Sequence, residues 1–160
     1  MCEAWDILLT MELEEGSHCK YQVRYDIMWK VKYSRELLIP ENRSKFLKRT
    51  IYEIAQRYDY VVEAVGVDTN HLHVFVGAHP VIAPAKIVQV LKSITAREMF
   101  KTYPEIKRFL WGGNMWAIGY YVRTVSDGPL DRVIKEYIED QAKPSNERRG
   151  KNKAYQLRLI

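Results

Sequence analysis

The sequence predicts an α+β domain in which helices pack against one face of an antiparallel sheet. Residues 21 to 33 alternate apolar and polar side chains almost strictly, which is the period of a half-buried strand. Residues 41 to 58 repeat apolar side chains at helical spacing instead, and a second stretch of that kind begins at Pro84. A chain of 160 residues is the size of one domain with a core of its own.

The first strand and helix are followed by a predicted hairpin. Strands at about 60 to 67 and 71 to 77 are rich in valine, and the turn Asp68-Thr69-Asn70 separates them. The next helix starts with a proline in its first turn, where the missing N–H costs nothing, and carries an apolar stripe consisting of Ile87, Val90, Leu91 and Ile94.

A fourth strand and a third helix complete the predicted order. Residues 105 to 115 form a short helix or loop that ends in two glycines, and residues 116 to 125 have the aromatic and β-branched content of a strand. Ser126-Asp127-Gly128-Pro129 then suits the start of a helix at 129 to 142. The sequence therefore predicts a ferredoxin-like βαββαβ sheet, first and third strands central, with an added C-terminal helix.

Composition and charge set the remaining boundaries. Residues 1 to 20 are acidic and are predicted to be an N-terminal extension, residues 21 to 142 the domain, and residues 143 to 160 a basic tail. The net charge of +5 is compatible with a polyanionic partner. The two cysteines have no framework spacing, and no apolar run is long enough to span a membrane, so we expect a cytoplasmic protein without membrane contact.

The candidate site begins with His71-Leu72-His73. Side chains in a strand alternate between faces, so both histidines point the same way, with Cβ atoms about 6 to 7 Å apart. Two imidazoles at that separation can converge on one divalent cation. Two half-buried strand histidines that merely bond to their neighbours would give the same pattern.

The last predicted helix offers two further polar groups. Tyr137 and Gln141 continue the apolar stripe that faces the body of the protein. A buried amide needs a partner, and the carbonyl oxygen of Gln141 is a suitable ligand for a cation beside the Tyr137 phenol. Simple packing of Tyr137, with Gln141 at a hydrated helix end, explains the stripe equally well.

These segments together resemble a known family. The His-Leu-His strand, the segments Leu110-Trp111-Gly112-Gly113-Asn114-Met115-Trp116 and Gly119-Tyr120-Tyr121-Val122-Arg123-Thr124-Val125, and the ending Tyr137-Ile138-Glu139-Asp140-Gln141 resemble the single-tyrosine HUH transposases of the insertion sequence 200/605 class. The resemblance covers residues 21 to 142. It implies that His71, His73 and Gln141 hold a divalent metal and that Tyr137 is the nucleophile.

The resemblance also implies a reaction and a partner. Such enzymes cleave and rejoin single-stranded DNA at hairpins near the ends of an insertion sequence, through a 5′-phosphotyrosine intermediate. They act as homodimers that share active sites between subunits. Two imidazoles and an amide suit Mg²⁺ or Mn²⁺ better than a closed zinc site. We expect Lys86, Lys92, Arg97 and Arg123 to contact DNA, since basic side chains neutralise phosphates.

This chain departs from the family pattern in two places. Asn70 stands where many relatives have an aspartate before the first histidine, which would lower the negative charge near the metal. Ser126-Asp127-Gly128 replaces a glycine directly after Thr-Val, which would lengthen or redirect the hinge into the tyrosine helix.

Three other functions remain compatible with the sequence. One is a domesticated relative that processes chromosomal repeats, or a replication nickase of the same HUH group. Another is a nucleic-acid-binding ferredoxin-like module without catalysis, which predicts binding that needs no metal. The third is a structural protein with a satisfied histidine pair, which predicts affinity for neither DNA nor metal.

Overall fold

The computed structural model describes residues 14 to 125, and these form two sheets and two α-helices. In chain order the elements are β1 (Glu14–Glu15), β2 (Lys20–Tyr21), β3 (Arg24–Lys30), α1 (Glu41–Tyr58), β4 (Val61–Val67), β5 (His71–Gly77), α2 (Pro84–Thr102) and β6 (Tyr121–Thr124). Short 3₁₀ helices lie at Lys32–Ser34 and Pro104–Phe109.

The main sheet has the predicted topology. Its strand order is β4-β5-β3-β6, and every neighbouring pair is antiparallel. The first and third strands of the βαββαβ pattern, β3 and β5, are therefore the central ones. The α+β fold class and the ferredoxin-like arrangement are confirmed, whereas the predicted helix at 129 to 142 lies outside the described residues.

The hydrophobic core lies between one face of this sheet and the two helices. Each central strand contributes every second side chain, and each helix contributes its predicted apolar stripe, the largest buried side chains being Ile27, Trp29, Leu47, Ile51, Ile54, Leu72, Ile87 and Leu91. Helix α1 stops at Asp59, whose left-handed backbone (φ 57°) lets its N–H bond to the Ala55 carbonyl. Neither described helix is long and apolar enough to cross a membrane.

Two predicted strands are shorter in the structure than in the sequence pattern. The alternation at 21 to 33 is interrupted after Tyr21, and at its other end Tyr33 adopts a left-handed backbone with φ 59° and lies exposed. The predicted strand at 116 to 125 pairs regularly only at Tyr121–Thr124, while Trp116 makes an isolated bridge to Val31. Alternation reports which faces are apolar, but a ladder also needs continuous pairing. Residues 30 to 32 and 115 to 117 meet only through this bridge, with bonds from the Lys32 N–H to the Met115 carbonyl and from the Ala117 N–H to the Lys30 carbonyl.

A small hairpin of β1 and β2 precedes the main sheet and is held to it by Arg24. The Arg24 guanidinium bonds to the Glu63 carboxylate of β4 and, at 2.8 Å, to the Glu14 carboxylate of β1. These carboxylates hold the pKa of Arg24 above its ordinary value although burial opposes them. The predicted boundary between an extension and the domain at residue 20 stays a prediction.

Candidate active site

The two histidines lie on the sheet face opposite the helices. The register pairs His73 with Met28 and His71 with Lys30, while Leu72 between them faces the core. The imidazole centroids are 5.5 Å apart, and the ring planes meet at 73°. His73 is buried and His71 is half-buried. The expected common orientation of the pair is thus present in the structure.

Each imidazole has an oxygen acceptor next to its Nδ1 atom. Nδ1 of His71 lies 2.9 Å from Oδ1 of Asn70, and Nδ1 of His73 lies 3.4 Å from Oδ1 of Asp26. An acceptor at Nδ1 favours the tautomer that carries its proton there, which leaves the Nε2 lone pair directed away from the acceptor. Metal-binding histidines are commonly held in this way.

Asp26 links His73 to Arg123. Its carboxylate is fully buried, and Oδ2 lies 3.6 Å from Nε of Arg123 on β6. A buried carboxylate is stable as an anion only beside a positive charge or donors, so Arg123 compensates Asp26. Within the described residues, Arg123 faces the Asp26 carboxylate next to His73. Contact between Arg123 and DNA stays a prediction.

Sequence reasoning missed the roles of Asp26 and Asn70. Asp26 is 47 positions from His73, and only the β3–β5 register brings them together. The one available signal was a carboxylate on the polar face of the strand predicted to be central. The sequence shows only that Asn70 lacks the negative charge of an aspartate. In the structure its Nδ2 also donates to the Ser34 carbonyl at 3.4 Å, which joins His71 to the 3₁₀ turn.

The donor set suits a divalent cation but is incomplete in the described residues. Between 14 and 125 there is no group of three or more His, Cys, Asp and Glu side chains arranged for a metal. Two imidazoles with supported Nδ1 atoms fit a metal that takes its other ligands from oxygens. The predicted third ligand, Gln141, and the predicted nucleophile, Tyr137, lie outside the described residues, so both assignments stay predictions.

The three basic residues predicted on α2 differ in their surroundings. Lys86 and Arg97 are exposed, and each bonds to a neighbour on the same helix, Lys86 to Gln89 and Arg97 to Glu98. Lys92 is half-buried and donates to the carbonyls of Ala117, Ile118 and Gly119 at 2.5, 3.1 and 3.4 Å. Burial lowers the pKa of Lys92. Lys92 therefore holds a loop, and DNA contact by these three residues stays a prediction.

Known proteins with similar sequences are transposases. Residues 19 to 141 match the family described as "Transposase IS200 like". The chain is 36% identical over 135 residues to the ISDra2 transposase TnpA of Deinococcus radiodurans, an alignment that covers 84% of this chain and 95% of that protein. It is 21% identical over 125 residues to the transposase for insertion sequence element IS200 of Salmonella typhimurium, covering 78% and 80% of the two chains.

Solved structures give the same result. A crystal structure of a candidate transposase from Deinococcus radiodurans R1 superposes with a TM-score of 0.68 at 31% identity, covering 82% of this chain and 100% of that one. A REP-associated tyrosine transposase bound to a REP hairpin has a TM-score of 0.53 at 12% identity, covering 78% and 70%, and so shares the fold. The match over residues 19 to 141 and the 36% identity to a curated transposase establish that this chain belongs to the IS200-like transposase family.

Proposed function

We propose that this transposase cleaves and rejoins single-stranded DNA at the ends of an insertion sequence, with Tyr137 as nucleophile and a divalent metal at His71, His73 and Gln141. The observation that carries the proposal is the support of both histidine rings at Nδ1, by Asn70 and Asp26, on one face of the sheet. Acceptors at the same atom of both rings make Nε2 the nitrogen that each imidazole would offer to a cation, which is the usual arrangement of metal-binding histidines.

The reaction that we propose keeps the number of phosphoester bonds constant. The Tyr137 oxygen forms a bond to the scissile phosphorus, the bond from phosphorus to the 3′-oxygen breaks, and that oxygen leaves as a 3′-hydroxyl after taking up a proton. The phenol, whose reference pKa is near 10, loses its proton during the attack. A 3′-hydroxyl from another strand later reverses the step at a new junction, so no nucleotide hydrolysis is needed.

His71 and His73 have a defined task in this scheme. When Nδ1–H of His71 donates to Asn70 and Nδ1–H of His73 donates to Asp26, Nε2 is the nitrogen that each ring would offer to a metal. A divalent cation held there would supply positive charge beside the scissile phosphate, whose negative charge otherwise repels a nucleophile. Magnesium or manganese fits such a mixed nitrogen and oxygen set, and manganese tolerates imidazole better.

We propose a DNA hairpin at the element end as the substrate and a homodimer with shared sites as the active form. The fold shared with a tyrosine transposase that was solved with a REP hairpin supports the first part. The second part rests on the family resemblance and on the Ser126-Asp127-Gly128 segment before the predicted tyrosine helix.

The decisive test is formation of a covalent protein–DNA adduct. The protein is incubated with Mn²⁺ or Mg²⁺ and labelled single-stranded DNA from both flanks of its own gene, then separated on a denaturing gel. We expect an adduct on single strands and none on the same sequence as duplex. Tyr137→Phe should abolish it, because phenylalanine keeps the ring but lacks the attacking oxygen.

Two further variants separate the metal site from general damage. His71→Ala should abolish the adduct while the fold, measured by circular dichroism, is kept. Lys45→Ala is the control. Lys45 is an exposed residue of α1 whose ammonium pairs with Glu41, and its replacement should leave the adduct unchanged. An adduct that survives Tyr137→Phe or removal of metal would contradict the proposal.

A further inference from the structure

A second candidate binding site lies outside the histidine face, in a pocket of the described surface with aromatic and basic walls. A cavity of about 500 Å³ opens between the 3₁₀ turn that follows β3 and the segment 107 to 112, and its lining consists of Tyr33, Arg35, Lys107, Arg108, Phe109, Leu110, Trp111 and Gly112. We call this the Tyr33–Trp111 pocket. No acidic side chain is part of that lining, and three of its eight residues are cationic.

The aromatic side chains of this pocket are unusually exposed. Trp111 is 84% exposed, Tyr33 56% and Phe109 53%, although tryptophan is usually well buried. The Tyr33 and Trp111 rings both stand on turns: Tyr33 and Ser34 adopt positive φ, which costs energy in residues other than glycine, and Gly112 and Gly113 supply the left-handed turn that follows Trp111. Large rings held in solvent beside one another are available for contact with another molecule.

Lys32 joins the two walls of the pocket. Its ammonium lies 5.1 Å from the centre of the Tyr33 ring and donates to the Trp111 carbonyl at 3.0 Å. One cation thereby fixes the spacing between the 3₁₀ turn and the tryptophan loop. The contact links the backbone of the tryptophan loop to the turn that carries the Tyr33 ring.

The pocket lies at the same end of the sheet as His71. Lys30, the last residue of β3, pairs with His71 in the register, and the Val31 N–H bonds to the Asn70 carbonyl. The Asn70 side chain, which holds the His71 ring, also bonds to the Ser34 carbonyl beside Tyr33. A strand that enters the histidine face can therefore continue toward the pocket.

We propose that the Tyr33–Trp111 pocket binds unpaired bases of single-stranded DNA, with Trp111 and Tyr33 stacking on bases and Arg35, Lys107 and Arg108 neutralising phosphates. Exposed rings beside cations are the chemistry that recognises single strands, because every base has a face for stacking and every nucleotide brings one phosphate charge. Duplex DNA brings the same phosphate charges but offers no free base faces, since its bases are already stacked on one another. This assignment rests on the proposed function for its choice of DNA as ligand.

The test is binding without cleavage. Fluorescein-labelled oligothymidine and a labelled duplex are titrated with the protein in EDTA, with anisotropy as the readout, over a range of salt concentrations. Trp111→Ala should weaken binding to oligothymidine roughly ten-fold and leave the salt dependence unchanged, because stacking releases no counterions. Trp111→Phe, which keeps a ring, should restore most of the affinity.

The basic wall has a different signature. Arg35→Gln should weaken binding. The negative slope of log K against log salt should become less steep by about 0.7, the value for one phosphate contact on a single strand. Arg49→Gln, a matched removal of one charge from α1, should change neither quantity by a comparable amount. Because Trp111 and Arg35 are on exposed segments, each variant is expected to fold, and circular dichroism checks this.

Failure of this inference and failure of the proposed function give different results. Equal binding by Trp111→Ala and the unaltered protein, or no binding of oligothymidine by the unaltered protein, overturns the pocket while the adduct test can still succeed. A missing adduct with the predicted binding losses overturns the catalytic proposal alone. If sedimentation shows that Trp111→Ala no longer forms the dimer that the unaltered protein forms, the pocket contacts a second copy of the chain, and the inference is overturned as well.

Discussion

Asn70 makes two hydrogen bonds that an aspartate at the same position could not make together. Its Oδ1 lies next to Nδ1 of His71, and its Nδ2 donates to the Ser34 carbonyl. A carboxylate would accept from His71 more strongly, but it has no donor for Ser34 and would repel that carbonyl. Asn70 therefore orients the His71 imidazole and, at the same time, holds the turn that carries Tyr33.

We expect Asn70→Asp to change metal and DNA binding in opposite directions. Manganese affinity, measured by calorimetry, should rise on the order of ten-fold, because a carboxylate at Nδ1 strengthens the imidazole as a ligand and adds negative charge. Oligothymidine affinity in EDTA should fall. Asn42→Asp adds the same charge at an exposed position and serves as the control. Unchanged manganese affinity would contradict the role given to Asn70.

The individual site residues differ in how far the sequence could identify them. The common face of His71 and His73 follows from the strand period of two, which is local and needs no partner. The pairing of Asp26 with His73 depends on how β3 and β5 align, and the exposure of Trp111 depends on the turn at Gly112 and Gly113. The alignment of two distant strands and the exposure of a side chain are properties of the folded protein, and the local sequence pattern does not give them. The roles of Tyr137 and Gln141 stay predictions.

At the scale of secondary structure, the close approach at the end of β5 requires glycine. A Cβ atom on Gly77 would lie 2.8 Å from the Val23 carbonyl oxygen and 2.6 Å from Nη1 of Arg24. Neither atom can retreat easily, because the first is backbone and the second belongs to a guanidinium held by Glu14 and Glu63. Replacement by alanine must therefore shift the end of β5 against the start of β3.

Gly77→Ala should lower the free energy of unfolding by about 1 to 3 kcal/mol, the usual cost of overpacking. Urea denaturation measures it, with the midpoint expected to fall at constant slope. Gly119→Ala is the matched control, since its Cβ would meet nothing within 4 Å. That variant should be neutral or slightly stabilising, because alanine restricts the unfolded chain. Equal stability of the two variants would show that the ends of β3 and β5 move apart without cost.

Helix α2 and the loop before β6 are joined by Lys92, which explains why the fourth strand starts later than its sequence pattern. The carbonyls of residues 117 to 119 point to the Lys92 ammonium rather than to a neighbouring strand. Apolar periodicity correctly gave α1 its bounds and α2 its start because those helices bury one face. It could not reveal a loop whose polar groups are satisfied by one distant side chain.

Lys92→Met should destabilise the protein by about 1 kcal/mol, since methionine keeps the apolar stem but leaves the three carbonyls without their charged donor. Lys86→Met is the control on the same helix, where the exposed ammonium contacts Gln89. Thermal unfolding should separate the two variants by several degrees. If Lys86→Met proves equally destabilising, the loop is held by other contacts.

At the scale of the whole molecule, the histidine pair and the predicted tyrosine helix come from distant parts of the sequence. The histidines lie on a rigid central strand, while Tyr137 follows the Ser126-Asp127-Gly128 segment, in which serine, aspartate and glycine all favour turns. A helix attached through such a segment can complete its own histidine site or that of a partner. The proposed homodimer uses the second arrangement.

Mixing two inactive variants distinguishes these arrangements. Tyr137→Phe keeps the histidines and His71→Ala keeps the tyrosine, so in a mixed dimer with shared sites one of the two sites contains both intact parts. Random exchange at equal concentrations makes about half of the dimers mixed, and roughly one quarter of the unaltered activity should return. Sites built within single subunits predict no recovery, because neither subunit then holds a complete set. Sedimentation and two different affinity tags would confirm that mixed dimers formed, so that absence of adduct in purified mixed dimers would exclude sharing of the site.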